Sequence, residues 1–171
     1  AIYIFQLGLF IDEDGERFID EGEDFRDQTY VKFSKAIMAH KGGVAFNVFD
    51  NTPRSEDPEA WKRAIRTEEE AFEAPSIREL AERLEVPADR MERTIERYNT
   101  ACQSGAFDPL KLDGLSTKGL ALNKTNWARP LDTPPFLAYP VTGGITFTLG
   151  GLKSTPKAQV LHYTGRIIPG L

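Results

Sequence analysis

Arg26 lies in Glu23-Asp24-Phe25-Arg26-Asp27, between a turn-rich stretch and a helix-forming one. A guanidinium is cationic at any physiological pH and presents a planar fork that grips a carboxylate through two hydrogen bonds. Held rigidly, such a grip orients a small di- or tricarboxylate for reaction. The plainer use of the same residue is a surface ion pair with Asp24 or Asp27. A second candidate is Thr146-Phe147-Thr148-Leu149-Gly150-Gly151. The hydroxyls of Thr146 and Thr148 can donate to a carboxylate, and Gly150-Gly151 lets a backbone pass close to a flat ring. Its plainer reading is a strand that ends in a glycine turn.

Other chemistries find less support. His40 sits at a helix end before Gly42-Gly43 and His162 in Val160-Leu161-His162-Tyr163. Neither has a second ligand at metal-binding spacing, so no metal site is expected. No Ser or Cys triad is apparent. Cys102 is the single cysteine, which excludes an internal disulfide and fits a reducing cytoplasm. A net charge of −5 without a basic stripe argues against a nucleic-acid partner. No apolar run approaches membrane-spanning length. None of the glycine pairs opens a helix after a strand with G-x-G-x-x-G spacing, the turn that cradles a dinucleotide pyrophosphate.

The elements that must position these residues read as α+β. Residues 1–11 suggest one or two strands, Asp14-Gly15 a tight turn, and residues 17–20 a return strand. A helix is expected over 27–40, with Tyr30, Phe33, Ile37 and Met38 on its apolar face. Residues 44–49 form a strand buried on both faces. Asp57-Pro58 opens a helix carrying Trp61, and Ser76 with Glu79 forms a capping box. Pro87 opens another helix, where Met91, Ile95, Tyr98 and Cys102 recur at helical spacing. Glu68-Glu69-Glu70 reads as a solvated face. Residues 104–135 form a long irregular connection anchored by Trp127, and strands resume at 136 as hairpins to the end. Helices thus lie in the middle and antiparallel strands at both ends, with residues 1–20 expected to pair with strands from the last forty.

Several stretches carry a family likeness. Gly15-Glu16-Arg17-Phe18 followed by an acidic residue and Arg26-Asp27, then Gly143 to Gly151, then the terminal Ile168-Pro169-Gly170-Leu171, resemble the substrate (capping) domain of the fumarate reductase and succinate dehydrogenase group of FAD flavoproteins. Asp132-Thr133-Pro134-Pro135-Phe136 together with Ile145–Gly151 resembles the tricarballylate dehydrogenase type within that group. The likeness runs from near Gly8 to Leu171.

The resemblance implies that residues 1–171 are a cap from a larger FAD-dependent oxidoreductase, without its FAD-binding domain and inactive alone. The parent would move a hydride between FAD and a small polycarboxylate such as tricarballylate, with the FAD domain of the same chain as partner and a separate electron-transfer protein possible. Arg26 would be the catalytic and substrate-binding arginine, Thr146 and Thr148 would face substrate, and Gly150 and Gly151 would face the flavin. Where the fumarate reductases carry two histidines, Thr146 and Phe147 stand here, so histidine contacts do not carry over. Two alternatives stay open: the flavin-containing region of a precorrin-3B synthase type, and a non-catalytic interaction domain that shares the strand and turn pattern.

Overall fold

Helices pack on both faces of a four-stranded antiparallel sheet in the computed structural model, which describes residues 1–145 and 150–171. The strands are β1 (Leu9–Ile11), β2 (Val44–Phe49), β3 (Phe72–Ala74) and β4 (Phe136–Thr142), in the order β1-β2-β4-β3. The helices are α1 (Arg26–Met38), α2 (Thr52–Glu56), α3 (Pro58–Ala64), α4 (Ile77–Arg83) and α5 (Ala88–Ala101). None of them is long and apolar enough to cross a membrane.

The alternation of β2 explains the layering. Successive strand side chains point to opposite faces, so Phe46 and Val48 meet one helical layer while Ala45, Asn47 and Phe49 meet the other. On the first face, Leu9, Ile11, Val48 and Ala138 pack against Leu80 and Leu84 of α4 and its C-terminal turn, and against Met91, Ile95 and Tyr98 of α5. On the second, Phe10 and Ala45 pack with Phe33 and Ile37 of α1, and Phe49, Leu137 and Tyr139 pack with Trp61 of α3. A strand buried on both faces must be apolar throughout, as β2 nearly is.

Helix starts follow local chemistry. The Asp57 side chain accepts from Ala60 N at 2.8 Å to cap α3, and Ser76 Oγ accepts from Glu79 N at 3.2 Å to cap α4. Glu79 does not close the reciprocal half of the box; its carboxylate takes the Ser76 hydroxyl instead, at 3.0 Å.

The α+β expectation holds in its mixed helix and antiparallel-sheet composition, with five corrections. Strands are not confined to the ends, because β2 and β3 lie among the helices. Residues 5–7 form a 3-10 turn rather than a strand, since the backbone curls there before β1. The return strand at 17–20 is only a bridge from Ile11 to Arg17, and β1 pairs with β2, not with the last strand. The closing hairpins reduce to isolated bridges, Ser154 to Val160 and Leu161 to Ile167. No residue from 150 to 171 is buried, so nothing within these residues rewards a longer ladder. The stretch 104–135 is irregular as expected. Trp127 anchors it, donating from Nε1 to the Asp108 and Lys111 carbonyls at 3.0 Å each.

Candidate functional site

Arg26 is the first residue of α1. Its Nε and Nη2 both reach one oxygen of Asp27, at 2.9 and 2.7 Å, and its guanidinium carbon stands 4.5 Å from the centroid of Tyr3. The surface ion pair anticipated from sequence is therefore present. Asp27, in the first turn, also suits the positive end of the helix. The Arg66 guanidinium lies 4.8 Å from the same Tyr3 ring. Backbone pairing fixes this meeting: Tyr3 N donates to Ala64 O at 2.9 Å and Arg66 N to Ala1 O at 2.7 Å. Two cations from separate segments thus converge on one ring, a cluster that Arg26 and its immediate neighbours in sequence do not reveal.

The loop leading into Arg26 is fixed from behind. Thr125 Oγ1 donates to Asp20 Oδ2 at 2.9 Å and to Gly22 O at 2.8 Å, and Asn126 Nδ2 donates to Gly22 O at 2.7 Å. A Cβ at position 22 would stand 2.3 Å from the backbone oxygen of Asn126, so only glycine fits this crossing.

Deeper still lies a buried charged group. Arg17 donates to both oxygens of Glu21, from Nε at 3.1 Å and Nη2 at 2.5 Å. Glu21 Oε1 also accepts from Phe10 N at 2.9 Å. Lys124, fully buried, donates to the Gly8 carbonyl at 2.9 Å. Burial pulls its pKa down to about 8 against the opposing pull of the Glu21 carboxylate. For Arg17, burial acts against the charge, but Glu21 outweighs it and the pKa rises. The Tyr98 ring lies under Arg17 at 5.2 Å, and burial raises its phenol pKa well above the usual value. This group ties β1, residues 17–21 and the 122–127 loop into one unit behind Arg26.

The remaining expected residues fall as follows. Thr146 and Thr148 lie outside the described residues. Gly150 and Gly151 are exposed, and a Cβ at either would meet no atom within 4 Å. Gly151 takes a φ of 156°, a backbone that favours glycine. Among the described residues no Gly-rich turn joins a strand directly to a helix, the arrangement that cradles a dinucleotide pyrophosphate. His40, expected to lack ligating neighbours, has them: its Nδ1 lies 3.4 Å from Glu13 Oε2 and 3.9 Å from Asp12 Oδ2. The hairpin turn at 12–15 folds back on the end of α1, a contact that local spacing cannot reveal.

A family model described as an FAD binding domain matches residues 6–171. The chain belongs to this FAD binding domain family. The description names a flavin-binding domain rather than a cap, so the narrower label expected from sequence rests on the residues alone. The chain is 30% identical to the NADH:acrylate oxidoreductase of Vibrio harveyi over 167 residues, which is 95% of this chain and 15% of that protein. It is 27% identical to a fumarate reductase (cytochrome) of Shewanella frigidimarina over 163 residues, covering 95% of this chain and 25% of that enzyme. The open conformation of a flavocytochrome c3 fumarate reductase shares its fold, with a TM-score of 0.73 at 24% identity over 99% of this chain and 27% of that one. The chain therefore spans about a quarter or less of these relatives. They are oxidoreductases of the fumarate reductase-like flavoprotein group, and FAD is the cofactor of the parent enzyme.

Proposed function

We propose that this chain forms the wall over the substrate side of a flavin, in an oxidoreductase that moves a hydride between FAD and a small carboxylate. The observation that carries this reading is Arg26: a cation at the mouth of a helix, oriented by Tyr3 and paired through a single oxygen of a largely exposed Asp27. An exposed pair of this kind contributes little. An arriving carboxylate can therefore take the place of Asp27 on the guanidinium fork.

Gly150 and Gly151 would lie along the ring edge, and Thr146 and Thr148 would offer hydroxyls to the substrate. Bound FAD supplies or accepts the hydride. Arg26 grips the carboxylate and draws charge toward it; the Arg17–Glu21–Lys124 group keeps the loop rigid so that the grip has a fixed direction. Acrylate and fumarate, the substrates named for the two relatives, both carry a carboxylate conjugated to a double bond, and this class suits the site. The stretches 132–136 and 145–151 favour tricarballylate as the saturated member. A separate electron carrier would supply electrons to the flavin when fumarate or acrylate is reduced, and take them away when tricarballylate is oxidised.

The test is steady-state turnover of the complete oxidoreductase with fumarate, acrylate and tricarballylate, in the native form and with Arg26→Ala. Carboxylate turnover that depends on Arg26 supports the reading. Native turnover that the alanine variant leaves unchanged removes it.

A further inference from the structure

Asp12, Glu13 and His40 bring three potential ligand atoms within 4.8 Å of one another, and all three side chains are part-exposed. The turn after β1 supplies the carboxylates, and the segment just beyond α1 supplies the imidazole. Backbone hydrogen bonds decide which oxygens face inward. Asp12 Oδ1 accepts from Asp14 N at 3.0 Å and Glu16 N at 2.9 Å, and Glu13 Oε1 accepts from Lys41 N at 3.0 Å. The other oxygen of each carboxylate faces His40 Nδ1, Glu13 Oε2 at 3.4 Å and Asp12 Oδ2 at 3.9 Å. The imidazole in turn rests on the Phe18 ring, with centroids 4.2 Å apart.

Two further observations point to a cation here. Among the described residues no lysine or arginine pairs with Asp12 or Glu13, so two like charges converge with an imidazole alone between them. Glu13 Oε2 also lacks a hydrogen-bond partner among the described residues, since 3.4 Å is long for an N–H···O bond. That spacing instead matches the edge of a tetrahedral zinc shell. Ligand atoms about 2.0–2.2 Å from such an ion stand roughly 3.3–3.6 Å from one another.

We propose that Asp12 Oδ2, Glu13 Oε2 and His40 Nδ1 bind a divalent transition-metal ion of the zinc class, with water completing its shell. The ion sits inside the triangle of ligand atoms, between Oε2 and Nδ1, rather than in a neighbouring cavity. Closure of Oε2 to a water-sized group therefore does not bar it. One imidazole nitrogen beside two carboxylate oxygens suits zinc better than magnesium or calcium, which take oxygen shells. Bound there, the ion staples the turn at 12–16 to the end of α1. The site lies at the opposite end of that helix from Arg26 and is independent of the flavin reading.

The experiment is a calorimetric titration of the metal-free 171-residue chain with zinc chloride, beside NMR of the histidine ring nitrogens. One equivalent should bind, shifting the His40 Nδ1 resonance and leaving His162 in place, and the thermal midpoint should rise. An equal concentration of magnesium should not displace the zinc. His40→Ala should abolish binding, and His162→Ala should leave it intact. Because His40→Ala also removes the contact with Phe18, Glu13→Gln serves as a second variant. It keeps the shape of the side chain, loses its charge, and should weaken zinc binding by about tenfold or more. Absence of zinc binding by the native chain overturns the proposal. So does native affinity in Glu13→Gln or His40→Ala, or a shift confined to His162.

Discussion

The Arg26 guanidinium and the Tyr3 ring lie 4.5 Å apart, and the ring accepts a second cation, Arg66, at 4.8 Å. Tyr3 therefore touches two cations from separate segments, one of them Arg26 at the start of α1. On the proposed reading, a substrate carboxylate would meet both cations at this ring, once it displaces Asp27 from Arg26.

Arg26→Ala in the complete oxidoreductase should lower kcat/KM by an amount equivalent to about 2–5 kcal/mol, since both a charge-assisted contact and its orientation are lost. Arg26→Lys should recover only part, because the planar fork is gone. Tyr3→Leu should cost less, about 0.5–1 kcal/mol, the usual size of an exposed cation–ring contact. Steady-state kinetics on the three variants checks the order; an alanine variant with native constants would leave Arg26 a surface ion pair.

The 171-residue chain should unfold cooperatively yet purify without stoichiometric FAD. Its core is large and continuous across α4, α5 and the sheet, while among its described residues no Gly-rich turn joins a strand directly to a helix. Absorbance near 450 nm, read beside a urea melt, decides. A yellow protein with one flavin per chain would mean that these residues hold FAD themselves.

Lys124 makes stability depend on pH in a defined direction. Its folded pKa, about 8, lies below the usual 10.5 of a lysine. Between those values the unfolded chain binds more protons than the native one, so stability rises with pH. Urea midpoints should therefore increase from pH 8 to pH 10, by about 2 kcal/mol in stability from this group alone. Lys124→Met should flatten that rise. Deprotonation of Tyr98 in the unfolded chain counts against stability at higher pH, so the measurement belongs below pH 10.

Gly22→Ala should destabilise the chain by about 1–3 kcal/mol, because the new methyl meets the Asn126 backbone and neither strand of the crossing can yield cheaply. Gly144→Ala, where a Cβ meets nothing within 4 Å, should stay within about 0.5 kcal/mol. Chemical denaturation of both variants separates a packing effect from a general cost of replacing glycine.

Much of this fold was legible residue by residue. Met91, Ile95 and Tyr98 announced α5 because one helical face had to be buried, and the unbroken apolar run of β2 announced a strand covered on both sides. Phe72–Ala74 did not announce β3: three residues are too few for a period, and the strand exists because Phe72 pairs with Ala138, far along the chain. The site divides the same way. Arg26 was readable because its neighbours in sequence define its place at a helix start. Tyr3 and Arg66 were not, nor was the approach of Asp12 and Glu13 to His40, since those meetings depend on backbone pairing between distant segments. Thr146 and Thr148 lie outside the described residues and remain proposals.

The strand order also bears on how the chain comes off a ribosome. β2 and β3 never pair with each other; both wait for β4, which slots between them. Until residue 142 has emerged, two strands keep open edges and the apolar residues beside them stay uncovered, a state prone to pairing with other chains. Synthesis that stalls or ends anywhere in the 104–135 stretch would release five finished helices around an unclosed sheet. Such products should be cleared by proteases or captured by chaperones, whereas a chain that reaches Thr142 closes its sheet in a single late step.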